Sequence, residues 1–206
     1  MNTILHPTYF PNISHFKAIV NAENLVFEVE DNYQKQTYRN RTHIYGANGR
    51  LTLNVPVHHS HKNRTLYKDV KIANDIDWQL QHWKSLQSAY KTSPFFEFYE
   101  DEIAPLFHSS HKYLLEFNFK CLDLILDCME LELTFDVSKT YEKDIYNYSD
   151  FRPLVNARKE IEILHEPYTQ VFSNKHGYIN NLSILDLLFN EGANTFQCLH
   201  SQKNVL

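Results

Sequence analysis

The spacing of apolar residues changes along the chain, and each change marks an element. Thr3 to His6 is a short extended run, broken by Pro7-Thr8-Tyr9-Phe10-Pro11. Ile13, Phe16, Ile19 and Val20 then recur at helical spacing up to about Ala22, with Asn12 placed as the cap. Asn24 to Glu30 alternates as a strand does. Thr42 to Tyr45 and Leu51 to Val57 flank Gly46-Ala47-Asn48-Gly49, a hairpin signal, and Pro56 suits an edge strand. Tyr67 to Ile72 reads as a further extended run.

From Trp78 the period lengthens. A helix is predicted from Trp78 to Tyr90 after Asp77, and a second from Ser93-Pro94, where a cap residue precedes a first-turn proline. A third, Ser110 to Glu130, carries Leu114, Phe117, Cys121, Leu124, Ile125 and Cys128 on one face. Leu115, Leu122, Leu126 and Met129 widen that face, as expected of a central helix. Leu131 to Val137 returns to a strand, and residues 139–166 are polar and irregular apart from a short helical stretch near Ala157 to Ile161. Leu182 to Asn190 is the last helix, capped by Asn181 or Ser183 and stopped by Gly192.

This order predicts an α/β fold: a single domain over residues 1–206, with a mixed sheet, an antiparallel hairpin and a central helical segment. Its strand- and loop-rich part is 1–75, its helical part 77–130, and a strand and helix follow over 131–195. The length of 206 residues suits one hydrophobic core.

Composition narrows the chemistry. The chain has four glycines, Gly46, Gly49, Gly177 and Gly192, whose spacing forms neither G-x-G-x-x-G nor a Walker A loop. Rossmann dehydrogenases and P-loop NTPases are thereby excluded. A formal charge of −5 leaves no general nucleic-acid footprint. No apolar run is long enough to span a membrane, and the first residues lack a signal-peptide pattern, so a cytoplasmic location is expected. Cys121 and Cys128 are two turns apart on one predicted helix, about 10 Å along its axis, too far for a disulfide. With Cys198 alone near the C-terminus, reduced thiols are expected.

Candidate chemistry gathers in a few segments. The loop His6-Pro7-Thr8-Tyr9-Phe10-Pro11 lies between a strand end and a helix N-terminus, where α/β sheets place ligands. His6 and Tyr9 face that space, or else serve the core. The run Tyr33 to Arg41 offers Lys35 and Arg41 for phosphate, with Arg39 between them, and Gln34 and Asn40 for hydroxyls; the alternative is a solvated loop of paired charges. Trp78 and His82 share a helix face, which makes His82 a candidate general base or a hydrogen-bonded core histidine. His176 beside Gly177 is a more distant candidate. The triplet His58, His59 and His61 lacks a carboxylate or cysteine at a ligating spacing and sits beside Lys62 and Arg64, so no metal site and no cofactor are predicted. His108 and His111 read as helix caps or surface. H-E-x-x-H, C-x-x-C and G-x-S-x-G are absent.

Taken in order, His6 to Pro11, Tyr33-Gln34-Lys35 through Asn40-Arg41, Leu51 to Val57, Trp78 with His82, and Tyr90 with Ser93-Pro94-Phe95-Phe96 resemble the WbqC-like family. Tyr168 to Phe172, His176-Gly177 and Asn181 to Phe189 extend the resemblance over nearly the whole chain. Where many members carry Gln, Trp and Gly in the first motif, this chain has His6, Asn12 and Ser14. The resemblance implies a transferase that moves a glycyl, other aminoacyl or acyl group to an amino sugar in surface-polysaccharide, or lipopolysaccharide O-antigen, biosynthesis. The implied partners are a nucleotide- or lipid-linked amino sugar and an activated aminoacyl or acyl donor, with the oligomeric state open. His6 or His82 would then be the catalytic base, Lys35 and Arg41 the phosphate clamp, and Tyr9, Gln34, Asn40 and Trp78 the sugar-binding shell.

Two other readings stand beside it. Phe10-Pro11 and His15, with Val137-Ser138-Lys139-Thr140, look loosely like the two nucleotide-binding loops of a nucleotidylyltransferase. A carbohydrate-binding or scaffold protein of the same pathway would use the aromatic surplus for stacking and would need no base.

Overall fold

The computed structural model describes residues 2–58 and 65–200. At its centre is a four-stranded, all-parallel sheet of order β5-β2-β1-β6, formed by β1 (Asn2–Leu5), β2 (Asn24–Phe27), β5 (Phe135–Val137) and β6 (Ser149–Asp150). Helix α1 (Ile13–Val20) connects β1 to β2. Its start follows the sequence signal: Asn12 is extended and its side chain accepts from His15 N at 2.9 Å. The register pairs Ile4 with Val26 and Val26 with Asp136, so these three share one face; Leu5, Phe27 and Val137 share the other.

Between β2 and β5 the chain makes the hairpin β3 (Arg41–Gly46) and β4 (Gly49–Asn54), then α2 (Trp78–Tyr90), α3 (Phe96–His108) and α4 (Leu114–Cys128). Gly46 opposes Gly49 across the two-residue turn, and Gly49 takes the φ of 98° the tight reversal needs. Parallel and antiparallel pairing therefore coexist as the pattern predicts, divided between two sheets. The hairpin leans on α2, where Tyr45 N donates to the Tyr90 hydroxyl. After β6 follow the short α5 (Ser173–His176), α6 (Ile184–Glu191) with Ser183 as its cap, and α7 (Thr195–His200).

Several boundaries differ from the sequence expectation. Tyr67 to Ile72 is no strand: Tyr67–Asp69 is a 3-10 turn, and only single bridges join Val57 to Ile72 and Lys71 to Tyr113. Ser93 does not open α3, because its hydroxyl turns back to the Tyr90 carbonyl and finishes α2, and the helix begins at Phe96. The α4 helix begins at Leu114, its preceding residues being committed to bridges with the 70–72 segment. The helical turn expected near Ala157 to Ile161 lies earlier, at Arg152–Val155, and β5 retains only the last part of the expected strand. His59 and His61 lie outside the described residues, and His58 is exposed.

One apolar cluster runs from Leu5 to Leu199. Its aromatic centre is Phe117 on α4, whose ring lies within 5.5 Å of the Tyr9, Trp78 and His111 rings. Cys121 is buried on the same helix, and all three cysteines are free. No helix among the described residues is long and apolar enough to cross a membrane.

Candidate functional site

The loop after β1 divides into two networks. His6, at the carboxyl end of β1, is buried against Arg39 and Asp31. Its Nδ1 faces the Glu28 carbonyl at 3.1 Å, so Nδ1 carries the proton and Nε2 accepts from Arg39 Nη2 at 2.9 Å. The same Nη2 donates to Asp31 Oδ2 at 2.6 Å, and the Arg39 guanidinium lies over the Tyr67 ring. Burial, with Arg39 beside it, holds the His6 pKa well below 6.5. His15 donates to the His6 carbonyl and is held at about 4 by desolvation. Both nitrogens of His6 are thus occupied, and a proton on Nε2 would face an N–H of a cation. As arranged, His6 anchors the loop and has no nitrogen open to a substrate.

Tyr9 and Trp78 join the second network. The Tyr9 hydroxyl meets His82 Nδ1 at 2.9 Å, and the Trp78 ring lies edge-on to His82. Burial lowers His82 to about 4, against a backbone hydrogen bond to Asn54 that works the other way. Asn40 is next to this group, donating to Asn54 Oδ1 and to the Val55 carbonyl. Tyr9 and Trp78 are 0% and 1% exposed, so neither offers a ring face to solvent. The fold brings together Tyr9, His82, Trp78 and Asn40, and sets His6 with Arg39. It leaves Gln34 and Lys35 exposed on the surface and Arg41 half-buried, without an ion pair among the described residues. His176 is exposed and bonds the Ala47 carbonyl.

A different set of residues lines an open cleft of about 390 Å³ over the carboxyl half of the parallel sheet. Its floor is Ile4 and Val26; Glu28, Asp136 and Glu142 supply carboxylates, Ser138 and Thr140 hydroxyls, and Val137, Lys139, Ile145 and Tyr148 complete the lining. β1 lies inside the sheet with β2 and β6 on opposite sides, and parallel sheets bind ligands at the carboxyl ends of strands around such a reversal of strand order.

Glu28 follows β2 directly and is oriented by Ser138 Oγ at 2.7 Å and Glu30 N at 2.8 Å. The outer wall is the segment 138–148, and Arg152 holds it in place. Its guanidinium donates to the Glu142 and Lys143 carbonyls and forms a fork with Asp150. Glu28 is 1% exposed and its Oε2 lies 3.9 Å from Arg152 Nη1, so Asp136, Glu142 and Lys139 are the charged side chains open to the cleft, a lining of both signs that suits a hydroxyl-rich ligand carrying both an amine and a phosphate.

Of this cleft the sequence reading touched only Val137-Ser138-Lys139-Thr140, as part of the nucleotidylyltransferase reading; Asp136, Glu142 and Tyr148 stand in no recognisable motif. The available signals were weak: an acid directly after a strand at Glu28, and three tyrosines in the polar stretch after Val137.

Among curated proteins the chain is similar to an uncharacterized protein, Rv1507c, of Mycobacterium tuberculosis (strain ATCC 25618 / H37Rv). The two are 22% identical over 216 residues, which cover 92% of this chain and 93% of the relative. No solved structure matches. The profile of the WbqC-like protein family matches residues 6–151, which run from the buried histidine of the first loop through the whole wall of the cleft, and the chain belongs to that family.

Proposed function

We infer that the chain is a transferase that moves an acyl or aminoacyl group, with glycyl the form implied by its family resemblance, onto the amino group of a sugar held in the cleft. The observation that carries this reading is the acidic, hydroxyl-bearing lining over the carboxyl half of the sheet. Carboxylates pair with the amine and bridge sugar hydroxyls, and Lys139 takes the phosphate of the carrier. In the transfer the amine nitrogen bonds to the donor's carbonyl carbon, and the leaving group departs with its bonding electrons. The proton lost by the amine passes to a carboxylate, for which the exposed Asp136 stands on the cleft wall. His6 supports the cleft indirectly, as a neutral anchor bonded to the Glu28 carbonyl.

The test uses glucosamine 1-phosphate with an activated glycine or acyl donor. Transfer is expected, and Asp136→Asn should lower turnover by about 100-fold while changing sugar affinity by less than about ten-fold. Absence of transfer with every activated donor, or full turnover by the variant, overturns the assignment. Sugar binding with no turnover to lose would instead fit a carbohydrate-binding protein.

One observation favours nucleotidyl transfer as a second reading. Parallel pairing brings the β1–α1 loop and Ser138-Lys139-Thr140 to the same carboxyl end of the sheet, with β2 between their strands. A flat calorimetric trace with ATP and CTP in the presence of magnesium removes this reading.

A further inference from the structure

The segment that walls the cleft is rich in exposed tyrosine, of which Tyr148 lines the cleft itself, a feature the sugar does not require. Segment 138–148 carries Tyr141, Tyr146 and Tyr148, which are 47%, 91% and 37% exposed. Large aromatic side chains on a loop normally turn inward, since each hides a large apolar area. This loop is not loose: Arg152, itself 8% exposed, pins it through the Glu142 and Lys143 carbonyls and stacks over Tyr141. A loop pinned in this way that presents tyrosine rings to solvent beside the cleft is suited to receive a planar ring.

We propose that this rim is a nucleobase platform, and that the amino sugar therefore reaches the cleft as a nucleoside-diphosphate sugar. The proposal rests on the cleft being the sugar site and adds the identity of the carrier. Tyr148 lines the cleft itself, and Tyr146 follows Ile145, which also lines it. A base stacked there would sit outside the carboxylates, with Lys139 near the intervening diphosphate. A lipid carrier fits this surface poorly. Glu142, Lys143, Asp144 and Asn147 interrupt the tyrosines, so no continuous apolar strip faces outward to hold an acyl chain.

The experiment titrates the full chain with ADP, GDP, CDP and UDP by calorimetry, and with glucosamine 1-phosphate and vesicles containing a polyprenyl phosphate in parallel. At least one nucleoside diphosphate should bind, with saturation transfer to its base protons. Tyr146→Ala should weaken it about ten-fold, and Tyr146→Phe, which keeps the ring, should restore the affinity. Because Tyr146 is so exposed, neither variant threatens folding. Binding of glucosamine 1-phosphate without any nucleoside diphosphate, unchanged affinity in Tyr146→Ala, or binding of the polyprenyl vesicles alone overturns the platform and leaves the sugar site standing. Failure of glucosamine 1-phosphate and of all four nucleotides overturns both.

Discussion

Histidine burial is the main electrostatic fact at the level of single residues. His15, His43 and His82 are held at about 4, and His6 is also lowered, because desolvation disfavours their charged forms. The unfolded chain, with histidines near 6.5, binds more protons than the folded chain between about pH 4 and pH 6.5. Stability is therefore complete above 6.5, falls as the pH drops through that window and levels off below it. One fully buried histidine loses about 2 kcal/mol between pH 7 and pH 5. Asp186 works in the opposite direction, since burial raises its carboxyl despite the bonds from Tyr90, Tyr168 and Gln170. Urea unfolding at pH 7, 6 and 5 should give a slope equal to uptake of about two to three protons near pH 5. A slope below one proton would show that the histidines are not buried as described. Tyrosines divide by position too: Tyr9 is buried on His82, whereas Tyr146 is turned outward.

Arg152 shows how one side chain decides the behaviour of a whole element. The wall of the cleft has no helix and no strand between β5 and β6, so its shape depends on the carbonyls that Arg152 ties down. Arg152→Met keeps much of the buried stem and removes every one of those charge-assisted bonds. Amide hydrogen exchange over residues 139–150 should then rise about ten-fold or more, while α4 and α6 keep their protection. Unchanged exchange in that segment would show that the wall stands without the guanidinium. Helix ends obey the same local logic. Asn12 and Ser183 cap as their side chains predict, whereas Ser93 finds the Tyr90 carbonyl closer at hand.

Across the molecule, the parallel sheet and the helices inserted between β2 and β5 are joined through aromatic packing. Phe117 contacts Tyr9 from the first loop, Trp78 from α2 and the ring of His111. Nearby Asn118 donates to the Arg39 carbonyl, and Tyr67 to that of Pro7. Phe117→Ala should cost about 3–5 kcal/mol in urea unfolding, because the cavity opens where four segments meet. A cost below about 1 kcal/mol would show that the layers hold together without this ring. The same insertion explains the two sheets, since the hairpin is carried away from β1 and β2 and packs on α2.

Local pattern by itself determined the alternation of strand and helix, the cap at Asn12, the glycine-bounded hairpin, the apolar face of α4 and the order of family motifs. These depend on periodicity and on backbone groups a few residues apart, which a single segment contains. It did not show that both ring nitrogens of His6 meet partners or that His82 lies behind Tyr9, because those contacts come from residues far along the chain. Nor did it choose Arg39 over Lys35 in one polar run, where only the packed structure turns one cation inward and the other out. The cleft was hidden for the same reason. Val26, Glu28 and Asp136 become neighbours only when β2 and β5 pair in parallel across more than a hundred residues, a register that no local spacing encodes.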